Sequence, residues 1–539
     1  MTKWSPVVIA YASLLAFAQQ PFVPMPAGID VVLRNSSTVE KHQPETMPGG
    51  VAILDYDNDG KPDLFFVNGA AQPSLKKPNE QWHNRLYRNL GNWKFEDVTA
   101  HAGLSGEGYG MGAAAADFDN DGFADLLVTS LGASRLYRNR GDGTFQDVTA
   151  KSGIPPTPWP ISAGWFDYDN DGYLDVFIVN YCRWNPLTEP SCGDLKAGYR
   201  TYCHPRYYEG LPNTLLHNNG DGTFTDVSAA SGIAAKIGKG MAVAFADYNL
   251  DGRPDIFVTN DTTPNFLFRN EGNGRFTEVA LTAGVAIADD GKTLSSMGTD
   301  FKDIDNDGRP DLFLTALANE TFPYYRNLGN GLFEDRTYRS RIGAASLPHS
   351  GWGLGVFDFD NDGWKDIFTA NGDVQDNTEL FSSRASKQQN QMFLNNANGT
   401  FSSTLFGEPA QHRGAAFADL DGDGRIDAVV TRLGAPPILL RNMLGQGNHW
   451  LAINLKGSKS NRDGLGARIR IVAAGKAQYW QVSTAVGYLS SSEKTARFGL
   501  AKSTTVELIE ITWPSGHTQV LKDVPADQIL TVEEPPAAP

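Results

Sequence analysis

GAAAADFDNDGFADLLVTS, residues 112–130, runs from small apolar residues through an acidic stretch into a β-rich run. Its centre follows the pattern D-x-[DN]-x-D-G-x-x-D, which occurs seven times, beginning at Asp55, Asp117, Asp167, Asp247, Asp303, Asp358 and Asp419. The spacings are 62, 50, 80, 56, 55 and 61 residues, the mark of a repeat architecture. Each copy follows a Gly/Ala-rich apolar stretch and precedes a run such as DIFVTN (255–260), so the acidic segment reads as a loop between two antiparallel strands. Two more strands follow in most copies: LYRNRGDGTFQDVTA (136–150) parallels LLHNNGDGTFTDVSA (215–229) and LFRNEGNGRFTEVAL (267–281). Their N-G centres are hairpin turns, because Gly and Asn tolerate positive φ.

Each unit is therefore a four-stranded meander that cannot bury both faces alone. Seven packed radially can, and the expected fold is all-β, a seven-bladed β-propeller. Fourth strands are legible at Phe95, Phe145, Phe224, Phe276, Phe333 and Phe401, and the seventh unit lacks one. PFVPMPAGI (21–29) echoes the missing copy, so the amino-terminal segment is expected to supply the outer strand of blade seven and close the ring. After about Gly447 the acidic repeats stop, and WLAINLKG (450–457), ARIRIVAAG (467–475), AQYWQVSTAVG (477–487) and VELIEITWPSG (506–516) suggest a small β-sandwich. The expected domains are a signal peptide (1–18), the propeller (19–446), the sandwich (447–534) and a Pro/Ala tail (535–539).

The 539 residues carry 46 basic and 62 acidic side chains, a formal charge of −16, with 41% hydrophobic and 11% aromatic residues. These figures exclude a basic nucleic-acid binder, a disordered polymer and a disulfide-stapled miniprotein. Lys3, the apolar residues 7–17 and Ala16-Phe17-Ala18 have the parts of a secretory signal, with cleavage expected after Ala18. That apolar stretch is too short to span a bilayer, which takes roughly 20 residues. Secretion or periplasmic export without a membrane span is therefore expected.

The acidic loops read as metal sites. Positions 1, 3 and 5 can converge on one side of a turn, Gly at position 6 permits the reversal, and Asp at position 9 returns from the next strand. The ligand sets are Asp55, Asp57, Asp59 and Asp63; Asp117, Asp119, Asp121 and Asp125; Asp167, Asp169, Asp171 and Asp175; Asp247, Asn249, Asp251 and Asp255; Asp303, Asp305, Asp307 and Asp311; Asp358, Asp360, Asp362 and Asp366; and Asp419, Asp421, Asp423 and Asp427. Clustered hard oxygens in flexible loops suit Ca2+, up to seven ions, better than the tight octahedron of Mg2+. Zinc or copper would recruit His or Cys, which the repeats read as lacking. An EF-hand needs a bidentate Glu at position 12, where these loops have Phe66, Val128, Ile178, Val258, Leu314, Thr369 and Val430. Solvated Asx turns are the structural alternative. Ligand positions take 27 of the 62 acidic residues, and seven divalent ions would bring −16 to −2. Loop four, with Asn249 and with Leu250 where five loops have Asn, is expected to bind most weakly.

Hairpin turns alternate between the faces of a propeller, so the acidic loops and N-G turns should share one. Long connections at 68–85, 180–213 and 371–391 should lie on the other, either as a recognition surface or as a cover for the ring. All three cysteines fall in the second connection, where the spacing favours a Cys192–Cys203 disulfide with Cys182 a buried thiol. Trp184, Tyr199, Tyr202, His204, Tyr207 and Tyr208 could form an aromatic patch, although packing of a long loop is the commoner reason for such residues. No G-x-S-x-G, HExxH or Walker pattern occurs, so no catalytic residues are assigned. An enzyme using the channel or the propeller–sandwich junction would draw on His204, His349, His412 or Glu45.

The seven DxDxDGxxD loops resemble the FG-GAP/VCBS repeats of integrin-α-type propellers. NRDGLGAR (461–468), FGL (498–500) and WPSG (513–516) resemble an ASPIC/UnbV domain, as in bacterial relatives of cartilage acidic protein. YCHP (202–205) and HQPETMPGGVAILDYDNDG (42–60) also look like family segments, while Arg497 stands where His is expected before FGL. The resemblance implies an extracellular calcium-binding scaffold for adhesion or for protein or carbohydrate recognition. The charge of −16 argues against nucleic acid as a partner.

Overall fold

In the computed structural model, which describes residues 20–194 and 196–536, the repeats form seven four-stranded antiparallel sheets. The expected signal peptide lies outside the described residues. The inner strands are Val51–Leu54, Gly110–Ala116, Pro160–Phe166, Gly240–Ala246, Thr299–Lys302, Gly351–Phe357 and His412–Ala418. Each passes through its acidic loop into a second strand that begins on the loop's last Asp, as in the pairs Ala116↔Asp125 and Phe357↔Asp366. Inner strands of successive blades pack against one another, and the seventh meets the first. Space is least at the axis, which is why these strands are so rich in Gly and Ala. A Cβ on Gly112 would come within 2.9 Å of the Ile161 carbonyl in the next blade.

The ring closes as expected: Phe22–Pro24 pairs antiparallel with Ala435–Asn442, with Phe22 opposite Asn442. Phe22 is buried against Phe359, Phe368 and Phe406 of blade six, so closure is locked by aromatic packing as well as by the ladder. After the outer strands, the D-V-T-A type segments turn into one-turn helices at Thr99–Ala102, Thr149–Ser152, Ser228–Ser231 and Ala280–Ala283. Asp97 Oδ1 takes the Thr99 N–H at 2.9 Å and so starts the first of them.

The carboxy-terminal sandwich packs a three-stranded sheet (Ala496–Ala501, His449–Lys456, Gln528–Glu533) on a four-stranded one (Lys476–Gln481, Arg468–Ala473, Thr505–Thr512, Thr518–Pro525). Leu451, Ile453, Ile469, Ile471, Phe498, Ile509 and Trp513 are among its core residues.

The segment after Gln481 departs from the sequence reading. It does not continue as a strand; residues 484–492 are all buried and enter the propeller axis. Ser491 exchanges backbone hydrogen bonds with blade one (its N–H to Val51 O, its carbonyl from Ile53 N, both 2.9 Å), and Gly487 exchanges two with Thr299 of blade five. Ala113 N donates to Leu489 O at 3.1 Å, and Phe417 N donates to Ser492 Oγ at 3.1 Å. Tyr488 reaches the far end, edge-on to Trp352 and donating to Met47 O at 3.1 Å. The channel offered above as an enzyme site is therefore filled by the protein's own chain.

Candidate functional site

Every acidic loop is held by its own carboxylates. In the first, Asp55 accepts from the N–H groups of Asp59 (3.0 Å) and Gly60 (2.9 Å), which closes the turn. Asp63 accepts from Tyr56 N at 3.1 Å and from Asn89 N on the third strand at 2.7 Å, which ties loop to sheet. Asp59 takes the Lys61 N–H at 3.0 Å. The position-1 arrangement recurs at Asp117, Asp167, Asp247, Asp303, Asp358 and Asp419. The position-9 arrangement recurs at Asp125, Asp175, Asp255, Asp311, Asp366 and Asp427.

Position 3 is different. Oδ1 of Asp57, Asp119 and Asp305 is buried with no hydrogen-bond partner. Within each of the sets Asp55, Asp57, Asp63; Asp117, Asp119, Asp125; Asp167, Asp169, Asp175; and Asp303, Asp305, Asp311, the ligand oxygens lie within 4.8 Å of one another. Positions 1, 3 and 9 thus converge in these four loops; position 5 caps its own turn, and in blade three Asp171 also comes within 4.8 Å of Asp169 and His217. Burial, with mutual repulsion added, pushes Asp63 and Asp167 up to about 8 and Asp117 up to about 7, against the downward pull of the backbone N–H groups. Orphaned acceptors among carboxylates that hold their protons this strongly fit a hard divalent cation.

Third strands add counter-charge unevenly. Arg88 lies 2.7 Å from Asp57 and 3.4 Å from Asp59, and Arg441 lies 3.0 Å from Asp421 and 3.1 Å from Asp423. Arg138 pairs likewise with Asp119 and Asp121, and Arg326 with Asp305 and Asp307. At the same register, Arg269 of blade four turns to Glu271, blade six has Leu394, and blade three has His217. Sequence reading passed over His217 because it belongs to the third strand, not to the acidic loop. Its imidazole is pushed up to about 9, mainly by Asp175 against the opposing effect of burial.

The loops are also linked around the ring: the position-4 side chains Asn58, Asn120, Asn170, Asn306 and Asn361 donate to the position-6 glycine carbonyl of the following blade. Loop four has no such link. Leu250 occupies that position at φ +61°, and Asn249 Nδ2 is taken up by Asp251 at 3.0 Å. N-G turns lie beside the acidic loops, as the alternation of hairpins requires; Gly141, for instance, stands against Phe123.

The sandwich sits on this face. Asp463 accepts from Asp117 N and Arg462 N donates to Asn120 Oδ1, both at 2.8 Å, while Gln481 accepts from Asp247 N at 3.1 Å. Arg497 is buried between Glu493 (2.5 Å) and Asp419 (3.3 Å). A cleft of about 760 Å³ remains between the sandwich and blades one, two and seven, with Asp55, Asp117, Lys494 and Arg497 in its wall.

On the opposite face the long connections interlock. Tyr202 N donates to Gln375 Oε1 at 2.8 Å, and Lys41 pairs with Asp376 at 2.5 Å. Cys192 and Cys203 form the expected disulfide, and Cys182 is a buried free thiol. The aromatic patch resolves mostly into packing. Tyr202 and Tyr208 are buried and donate to Glu45 (3.0 Å) and Glu189 (2.7 Å), and Trp184 packs edge-on to Trp159. Of that set, Tyr207, at 53%, and His204 stay exposed. Among the catalytic candidates, His412 is buried with Nδ1 on Asn371 O at 2.9 Å, and His204 Nδ1 accepts from Arg206 N at 3.1 Å. Glu45 is engaged by Thr38 and Tyr202, and His349 shares a hydrogen bond with none of the others.

Seven blades with acidic loops on one face define a propeller of acidic-loop repeats. The chain belongs to the FG-GAP-like repeat family, whose model matches residues 55–128, 122–178, 207–258, 247–314, 303–369 and 376–430. Residues 457–539 match the ASPIC and UnbV model. Cartilage acidic protein 1 of Mus musculus is 25% identical over 317 residues, covering 57% of this chain and 47% of that protein. The Homo sapiens protein of the same name is 26% identical over 317 residues, covering 57% and 46%. The chain thus spans about half the length of the curated relatives it matches. Solved structures with likeness include an Agrocybe aegerita lectin that recognises non-reducing terminal N-acetylglucosamine (16% identity, 72% of this chain and 87% of that chain, TM-score 0.42). Another is YCF48 from Cyanidioschyzon merolae (11% identity, 78% and 98%, TM-score 0.40). The family and fold point to a recognition scaffold, and no helix among the described residues is long and apolar enough to cross a membrane.

Proposed function

We propose that this protein is an exported, calcium-stabilised scaffold that recognises a protein or glycan. The supporting observation is the set of buried, partnerless position-3 oxygens facing carboxylates with raised proton affinity. Positions 1, 3 and 9 would hold the ion, and Ca2+ would supply the positive charge the loops lack. Each hairpin, together with the five links to following blades, would then be fixed in one geometry. Loop four binds most weakly on this reading, because Asn249 carries no charge and is engaged by Asp251. The disulfide supports an oxidising compartment and hence export.

Chelator-stripped protein titrated calorimetrically with CaCl2 should bind several ions and gain melting temperature. Asn249→Asp should tighten the weakest class of sites, and no calcium uptake at all would overturn the reading. Glycan arrays and protein pull-downs, run with calcium present and chelated, then identify the ligand. Partner capture indifferent to calcium would separate recognition from ion binding.

A further inference from the structure

We propose that the acidic loop of blade three is a site for a borderline-soft transition-metal ion such as Zn2+, with His217 as its nitrogen ligand. The proposal rests on reading the loops as cation sites, but assigns this one a different ion. Five of the seven blades carry arginine immediately before the third-strand Asn, and only blade three carries a group there that can ligate a metal. Where arginine reaches positions 3 and 5, its guanidinium takes space next to the carboxylates and has no lone pair to offer.

In blade three, His217 Nδ1 is shielded from solvent and faces two loop carboxylates. It lies 3.5 Å from Asp169 Oδ2 and 3.3 Å from Asp175 Oδ1, whose side chain is fully buried. A tetrahedral ion with ligands at about 2.0–2.1 Å separates them by roughly 3.3–3.4 Å, which these distances match. Ligand atoms of Asp169, Asp171 and His217 also lie within 4.8 Å of one another. With the proton on Nε2, Nδ1 presents its lone pair to this group. One imidazole among carboxylates suits zinc or cobalt, whereas calcium has no preference for nitrogen. The competing role for His217 is a protonated counter-ion that does what arginine does in other blades.

The full chain, stripped with chelator and reloaded with millimolar Ca2+, is dialysed against micromolar Zn2+ or Co2+, and both metals are counted by mass spectrometry. Expected are one zinc per chain retained against calcium and, for cobalt, the visible ligand-field bands of a nitrogen-containing site. His217→Arg, the residue of five other blades, should weaken retention at least tenfold and abolish those bands. His217→Asn serves as a second variant if arginine misfolds. Zinc that calcium displaces from the wild type, or that both variants retain equally, overturns the assignment. Calcium and zinc are counted separately, so a chain that binds zinc but no calcium refutes the calcium reading alone.

Discussion

Asn89, Asn139, Asn218, Asn270, Asn327, Asn395 and Asn442 stand at or within two residues of the ends of the seven third strands, and each donates its Nδ2 to a carbonyl of the preceding blade. Asn218, for example, bridges Phe118 O and Leu174 O, both at 2.9 Å. Asn218→Leu would leave two buried carbonyls unpaired, and we expect a loss of about 2–4 kcal/mol, read as a lower urea midpoint. Leu250→Asn acts in the opposite direction. It places a residue tolerant of positive φ at +61° and restores a donor toward the next blade, for a gain of about 1 kcal/mol by the same measurement. The loop aspartates were legible because they recur at fixed offsets. The asparagines recur just as regularly, but locally they read as turn residues. Their partners lie as far as 331 positions away, as with Asn89 and Leu420, where no short-range pattern can signal them.

At the scale of elements, the axial segment explains why the sandwich cannot be treated as a separable appendage. Its Ser/Thr/Gly/Ala character suits a narrow channel, yet in sequence VSTAVG simply prolongs the preceding strand, because the partners that draw it into the axis, such as Ala115 and Thr299, belong to the ring. Blade repeats and ring closure could be counted from spacing alone, whereas this contact required the assembled axis. Gly487 sits at φ +77°, and a Cβ there would stand 2.5 Å from Leu354 O. Gly487→Val should therefore cost about 3 kcal/mol or more and open the inner strands to protease, read by limited proteolysis. The last strand has a fastening of its own: Glu534 accepts from the consecutive N–H groups of Ser458, Lys459 and Ser460 and from the hydroxyls of Ser460 and Ser515. Burial alone would raise this carboxyl, but those donors outweigh it and hold it down to about 2, below its ordinary 4.5. Its contribution is thus complete above pH 4.5 and fades as pH falls toward 2. Glu534→Gln should flatten the acid limb of the stability curve over that window.

For the whole molecule the loop carboxylates give the opposite slope. Asp63 and Asp167 titrate near 8 in the ion-free fold and near 3.8 when unfolded, because burial and neighbouring carboxylates favour the protonated form. Between pH 4 and 8 the folded chain therefore holds protons that the unfolded chain has released. By linkage, the stability of the ion-free protein falls as pH rises through that window. A divalent cation needs these groups ionised, so it displaces the protons and supplies the charge the fold lacks, and its stabilisation grows with pH. The chain's −16 adds to the same trend, since self-repulsion rises as the loops ionise and falls as ions bind. Calorimetric melts of chelator-stripped protein at pH 5, 6.5 and 8 should show the melting temperature dropping at each step, and saturating calcium should remove or reverse that order. If the stripped protein were instead most stable at pH 8, the loops would already be balanced by the arginines of their third strands, and calcium would have no charge deficit left to fill.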